Sequence, residues 1–189
     1  MQKRLEDLNQ KIIVWGNDRK ITTNGNVATQ LLKLNEEFLK EFYESEGDEE
    51  KLKDAIGDSM VVLTMIDGIT NKDGGVLKGI QYKKVEELVI DMGGKQFVAD
   101  NDEYLIGFVG SICTSIGNLS AITVRNKIEE QKAQFNKYIS DCYAGLMMLA
   151  FAVGLEPLDC LELAYNEIKD RKGELLPNGI FVKESDLKG

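Results

Sequence analysis

Histidine is absent from this 189-residue chain. Its absence removes Ser-His-Asp and Cys-His catalysis, and with them most catalytic zinc sites. Proline is scarce as well: with 2 in the whole chain, long helices are permitted almost everywhere. The three cysteines, Cys113, Cys142 and Cys160, are widely spaced and odd in number. They sit in apolar helical patterns, which suits buried free thiols in a reducing compartment better than disulfides or a metal cluster. There is no Walker A loop, no GxGxxG and no CxxC pair. Asp100-Asn101-Asp102-Glu103 lacks the spacing and the glycine of an EF-hand loop and reads as a turn. No signal peptide opens the sequence, and the longest apolar stretch, Ala144 to Leu155, is too short to cross a bilayer. The expectation is a cytoplasmic protein with no membrane partner.

Acid, by contrast, is plentiful: 32 acidic against 23 basic side chains leave a formal charge of −9. That field opposes contact with nucleic acid backbones, so no polymer of nucleotides is expected as a partner. A polyphosphate ligand is still compatible with it, because a bound cation inverts the local potential. Hydrophobic residues make up 43% of the chain, enough to bury a core in one domain spanning 1–189.

The apolar residues recur at helical period. An amphipathic segment from Gln2 to Val14 ends in Trp15-Gly16-Asn17-Asp18-Arg19, and Thr22 to Asn26 offers several N-caps. Val27, Leu31, Leu34, Phe38 and Phe42 then form one apolar stripe, with Gln30, Glu37 and Glu41 as a second stripe on its flank. Asp48-Glu49-Glu50 starts a helix expected over Glu49 to Ile66, apolar on every side beyond Ser59. Residues 67–102 read as an insertion, with one short helix or a hairpin between Val76 and Met92. Helical pattern returns at Tyr104 to Leu119 and from about Ile122 to Val153. Pro157 suits the first turn of a last helix ending near Arg171, and Pro177-Asn178-Gly179 suits the turn of a short hairpin or an extended tail. Lys53 to Val61 can be laid against Ser140 to Met148, so residues 103–153 read as a degenerate second helical hairpin with Gly145 where the first has Asp58. The fold class expected is all-α, a four-helix-bundle-like core built from two helical hairpins.

The sharpest chemical feature is acidic. Asp54, Asp58, Val61 and Met65 share one stripe, so two carboxylates stand in line with side chains that face the core. That placement is costly unless a cation or hydrogen-bond donors meet them. Together with Glu36, Glu37 and Glu41 they form an oxygen-only donor set on two neighbouring helices, which suits Mg²⁺ or Mn²⁺. Near the end of the last helix, Asn166, Lys169 and Arg171 are candidates for phosphate binding, against favourable charge placement at a helix C-terminus. Trp15, the only tryptophan, is a candidate for stacking on a base, although packing is the commoner fate of such a residue.

Taken in order, Gln30-Leu31-Leu32-Lys33-Leu34-Asn35-Glu36-Glu37-Phe38-Leu39-Lys40-Glu41 and Asp54-Ala55-Ile56-Gly57-Asp58 resemble the acidic signature of the all-α NTP pyrophosphohydrolases, the MazG-like superfamily, especially its phage-type members. Trp15 to Ile21, Ala164 to Arg171 and Gly179 to Glu184 are similar to the ends of the phage-type proteins. Glu37 and Asp58 match the EExxE and ExxD motifs directly. The third glutamate of the first motif is Lys40 here, with Glu41 one residue later, and the glutamate of the second is Ala55, with Asp54 before it. The resemblance implies a magnesium-dependent hydrolase cleaving a nucleoside triphosphate between its α- and β-phosphates, in a host cytoplasm if phage-encoded. It also implies a homodimer or an internally duplicated pseudo-dimer. In that scheme Glu36, Glu37, Glu41, Asp54 and Asp58 hold the metal, and Glu37 and Asp58 are the catalytic pair. Trp15, Asn166, Lys169 and Arg171 would contact substrate. Two rivals stand beside it: a nucleotide-binding protein that lost turnover, with Lys40 as its mark, and a helical protein-interaction or regulatory module.

Overall fold

The computed structural model describes residues 1–72, 75–94 and 102–188, which are helical apart from a two-stranded ribbon near the end. Helix α1 (Gln2–Asp18) buries Leu5, Leu8, Ile12 and Trp15, and runs a turn beyond the Val14 end expected from its pattern. A left-handed residue, Lys20 at φ 60°, leads into the short α2 (Ile21–Asn24). Helix α3 (Val27–Asn35) starts where the Asn26 side chain accepts a hydrogen bond from the Ala28 amide at 2.8 Å. It continues through a π-helical turn, Glu36–Glu41, into a last α-turn, α4 (Phe42–Glu44). Helix α5 (Glu49–Thr70) is capped by Asp48, whose side chain accepts from the Lys51 amide, and it runs four residues past the expected Ile66.

The segment from Val76 to Met92 holds a 3₁₀ turn, Leu77–Gly79, and helix α6 (Tyr82–Asp91), so the choice between helix and hairpin resolves to helix. Helices α7 (Asp102–Val124) and α8 (Lys132–Ala152) follow. The break between them falls at 125–131 rather than near Ser120, because Asn126 takes the left-handed conformation (φ 55°) while nothing stops the helix earlier. Asp102 and Glu103 open α7, whereas Gly74 and the Asp100-Asn101 half of the expected turn lie outside the described residues. Helix α9 (Pro157–Ile168) has its proline in the first turn and ends three residues before Arg171, whose amide turns back onto the Ile168 carbonyl at 2.8 Å. Strands β1 (Gly173–Leu175) and β2 (Phe181–Lys183) pair antiparallel, Leu175 opposite Phe181, around a turn in which Gly179 (φ 81°) adopts a conformation other residues reach only with strain.

Helix α3 packs on α5 and α7, and α8 packs on α7 and α5, closing a ring of four helices. This is the four-helix-bundle-like core of an all-α fold. Helix α5 is its axis, covered on the remaining sides by α1, α2 and α9, and it is buried all round from Ser59 to Gly68. Its buried acid Asp67 is structural, since it accepts from the amides of Val76 and Leu77 and from Asn71. Tyr143 donates to Asn9 at 2.8 Å and ties α8 to α1 through the core. Among the described residues, α7 is the helix long and apolar enough to cross a bilayer by length and composition, not the Ala144–Leu155 stretch. Its inner face supplies Phe108, Ile112, Ile116 and Leu119 to the bundle core.

Candidate functional site

Four of the five acids singled out in the sequence come together where the π turn faces α5. Glu37 is 7% exposed and receives the Lys33 ammonium at 3.0 Å, one turn earlier on its own helix. Across from it, burial first and the Glu37 charge second push the Asp58 carboxyl up to about 7, with Lys33 opposing. Burial, the charge of Glu37 and a hydrogen bond shared with Glu37 push Glu41 up to about 7 as well. Asp54 is raised above the usual carboxylate range by burial, by Glu167 and by Glu37, while Arg171 pulls it down. One of its oxygens, Oδ1, is buried with no hydrogen-bond partner. Where Asp67 spends its oxygens on backbone amides, these carboxylates face one another.

The π turn decides which residues do so. A π turn accommodates one extra residue in a helix and rotates everything beyond it. Glu41 thereby joins Glu37, Asp54 and Asp58, while Lys40 stands outside, 58% exposed on its side chain, in a loose 4.0 Å pair with the equally exposed Glu36. The one-residue shift noted in the sequence coincides with this turn.

Helix α9 reaches the acids because Gly57 has no side chain. A Cβ there would fall 2.2 Å from the Cys160 carbonyl oxygen, so the two helices touch backbone to backbone between Asp54 and Asp58. That crossing delivers Glu167, whose charge raises both aspartates, and Arg171, whose charge opposes Asp54. The Arg171 carbonyl is clamped by Arg19, which donates to it at 2.9 and 2.7 Å. The same Arg19 guanidinium lies 4.6 Å from the centre of the Trp15 ring.

Beside the acids, a cavity of about 320 Å³ opens between α3, α5, the end of α9 and β2. Asp58, Glu36, Lys33 and Arg171 line its charged part; Trp15, Ile21, Met65 and Phe181 line its apolar part. Trp15 is 8% exposed and meets Phe181 edge to face at 5.8 Å between ring centres, so it is packed as well as cavity-lining. Asn166 and Lys169 do not line this cavity; they are exposed and bonded to each other at 3.0 Å. Sequence reasoning passed over Lys33, Glu167 and Lys183, although each lies inside a run it had singled out. The signal for Lys33 was its four-residue spacing from Glu37; β2 delivers Lys183 to the cavity, and only the tertiary fold shows it.

No protein-family model, no curated protein and no solved structure matches this chain. The site is therefore judged on its own geometry. Among the described residues no three acidic, histidine or cysteine side chains stand as a ready-made metal cage. The chemistry of the donor set nevertheless fits a hard divalent cation: every donor is a carboxylate, two are pushed up to about 7 by burial and then by the charge of Glu37, and one buried oxygen lacks a partner.

Proposed function

We propose that the protein is a magnesium-dependent nucleoside triphosphate pyrophosphohydrolase, adding water across the α–β phosphoanhydride to release a monophosphate and pyrophosphate. One observation supports this above the others: Asp58, which lines a nucleotide-sized cavity, belongs to a cluster of like-charged carboxylates from α5 and the π turn just beside it. Glu37, Glu41, Asp54 and Asp58 are the residues that would hold Mg²⁺, which supplies charge neutralisation on the phosphate oxygens and a more acidic water. Arg171, Lys33 and Lys183 attract the phosphates in a protein whose net charge would otherwise repel them. Asp58, the acid of this set that lines the cavity, would orient the attacking water. Trp15 and Phe181 wall the apolar part of the cavity, where a base would be shielded from solvent.

Lys40 was the mark of the rival reading, a binding protein without turnover. Its outward position and its pairing with Glu36 take Lys40 out of the acid cluster, where the nearby cation is Lys33 on Glu37. The test is a panel of NTPs and dNTPs with Mg²⁺ or Mn²⁺, assayed for pyrophosphate. Release that depends on the metal is expected. Nucleotide binding without release under any metal would sink the hydrolase, and no binding at all would favour an interaction module.

A further inference from the structure

Gln30 is 7% exposed, lines the cavity, and its side-chain amide bonds to nothing among the described residues. Among the described residues only Trp15 Nε1 and Asp54 Oδ1 are fully enclosed without a partner, so the Gln30 amide keeps contact with the cavity and is free to exchange water for a ligand that enters it. Trp15, Ile21 and Met65 line the apolar part of the same cavity, with Thr29 and Lys33 on the helix that carries Gln30. The Trp15 indole N–H is itself enclosed without an acceptor, so it does not compete for the Gln30 oxygen.

Position along the helices separates this group from the acids. Gln30 precedes Glu36, the first residue after α3, by six residues, and Met65 follows Asp58 by seven on α5, each about 10 Å along a helix axis. With the chain running from α3 through the π turn and α4 and turning back into α5, Gln30 and Met65 share one end of the cavity and the carboxylates Glu36 and Asp58 share the other. Charge for phosphates lies at one end, and an apolar box with one free amide lies at the other.

We infer that Gln30 is the specificity-determining residue of a nucleobase subsite, its carbonyl and NH₂ pairing with an adjacent donor and acceptor on the ring edge. This deepens the pyrophosphohydrolase reading and rests on it for the triphosphate, but the base subsite is testable without turnover. A primary amide offers one acceptor beside one donor, the complement of the edges that nucleobases carry and that ribose and phosphate lack. A site built on such a pairing discriminates by leaving its own buried groups unpaired when the wrong edge enters.

The chain carries its own probe, because Trp15 is the only tryptophan and lines the cavity. The four ribonucleoside 5′-monophosphates and ribose 5-phosphate are titrated without metal, following Trp15 fluorescence, into wild type, Gln30→Leu and the near-isosteric Gln30→Glu. Circular dichroism confirms that each variant is folded. Saturable, base-ranked changes in wild type are expected, with ribose 5-phosphate far weaker. Gln30→Leu should weaken the preferred base on the order of 10- to 100-fold. Gln30→Glu should change the ranking of the bases, since it replaces a donor by an acceptor. Equal affinities in wild type and both variants, or ribose 5-phosphate binding as tightly as the nucleotides, would overturn the proposal. So would the absence of any emission change with every monophosphate. Base-ranked binding lost in Gln30→Leu, in a protein that releases no pyrophosphate with any metal, would keep this subsite and remove the hydrolase reading.

Discussion

The two hairpins of the bundle treat the positions laid against each other in the sequence in opposite ways. In the α3–α5 hairpin, Asp54 and Asp58 flank a glycine at a backbone contact and are left facing other acids. In α7–α8, the residue laid against Asp54 is Asp141, neutralised by Lys137 one turn away, and the residue laid against Asp58 is Gly145, packed on Ile112. In the first hairpin a Lys33–Glu37 pair leaves several acids still crowded; in the second a Lys137–Asp141 pair leaves the rest of the space to apolar packing. The difference teaches that burial of a carboxylate here is not required to close a helical hairpin, because the second hairpin closes with a glycine at the residue laid against Asp58.

The largest effect expected from breaking this asymmetry is on turnover. Asp58→Asn should lower metal-dependent pyrophosphate release on the order of 100-fold or more while leaving the circular dichroism spectrum intact. Unchanged turnover would remove Asp58 from the site. Conversely, Gly145→Asp writes the acid of the first hairpin into the second, where Gly145 is buried against the Ile112 side chain. A loss of about 3 kcal/mol or more in urea denaturation is expected.

The two glycines sharpen the contrast further. At Gly57 an added Cβ meets a backbone carbonyl at 2.2 Å, which cannot rotate away; at Gly145 it meets the Ile112 side chain at 2.9 Å, which can. Gly57→Ala should therefore cost about 2–3 kcal/mol, whereas in Gly145→Ala the better helix propensity of alanine, roughly 1 kcal/mol, offsets most of the crowding. Equal losses would mean that α9 is not anchored at Gly57.

Proton linkage gives a smaller signal with a definite sign. Asp58 and Glu41 are held at about 7, above the roughly 4 of an unfolded carboxyl. Below that lower value both states are protonated. As pH rises from there to 7, the unfolded chain sheds protons that the folded chain keeps, so stability contributed by these groups is lost across that window. In chelator, the melting temperature should be higher at pH 5 than at pH 8. Asp58→Asn should flatten the difference, and Mg²⁺ should raise the wild-type value at pH 8. A melting temperature that instead rises with pH in the same way for both proteins would show that the acids are not crowded. Smallest of all, Lys40→Ala should leave turnover within about threefold and stability within about 0.5 kcal/mol, as expected of an exposed, loosely paired lysine.

Much of this architecture is written in local pattern. The spacing of Val27, Leu31, Leu34 and Phe38 determined a helix and its buried face, the stripe from Asp54 to Met65 determined that two acids would be carried toward the core, and Pro177-Asn178-Gly179 determined a turn between two short strands. These follow from the sequence because helix period, capping and turn chemistry act over a few neighbouring residues. The end of α7 was not legible, since a single left-handed asparagine sets it against an uninterrupted apolar pattern. Nor was the meeting of Glu41 with Asp58 in place of Lys40, which depends on a π turn that no spacing rule marks. Glu167, Arg171 and Lys183 reach the acids and the cavity only through the α5–α9 crossing at Gly57 and the docking of β2. Which charges end up facing each other was decided by tertiary structure, because backbone approach between distant elements, not the order of residues along one helix, sets the distance over which carboxylates repel and cations answer them.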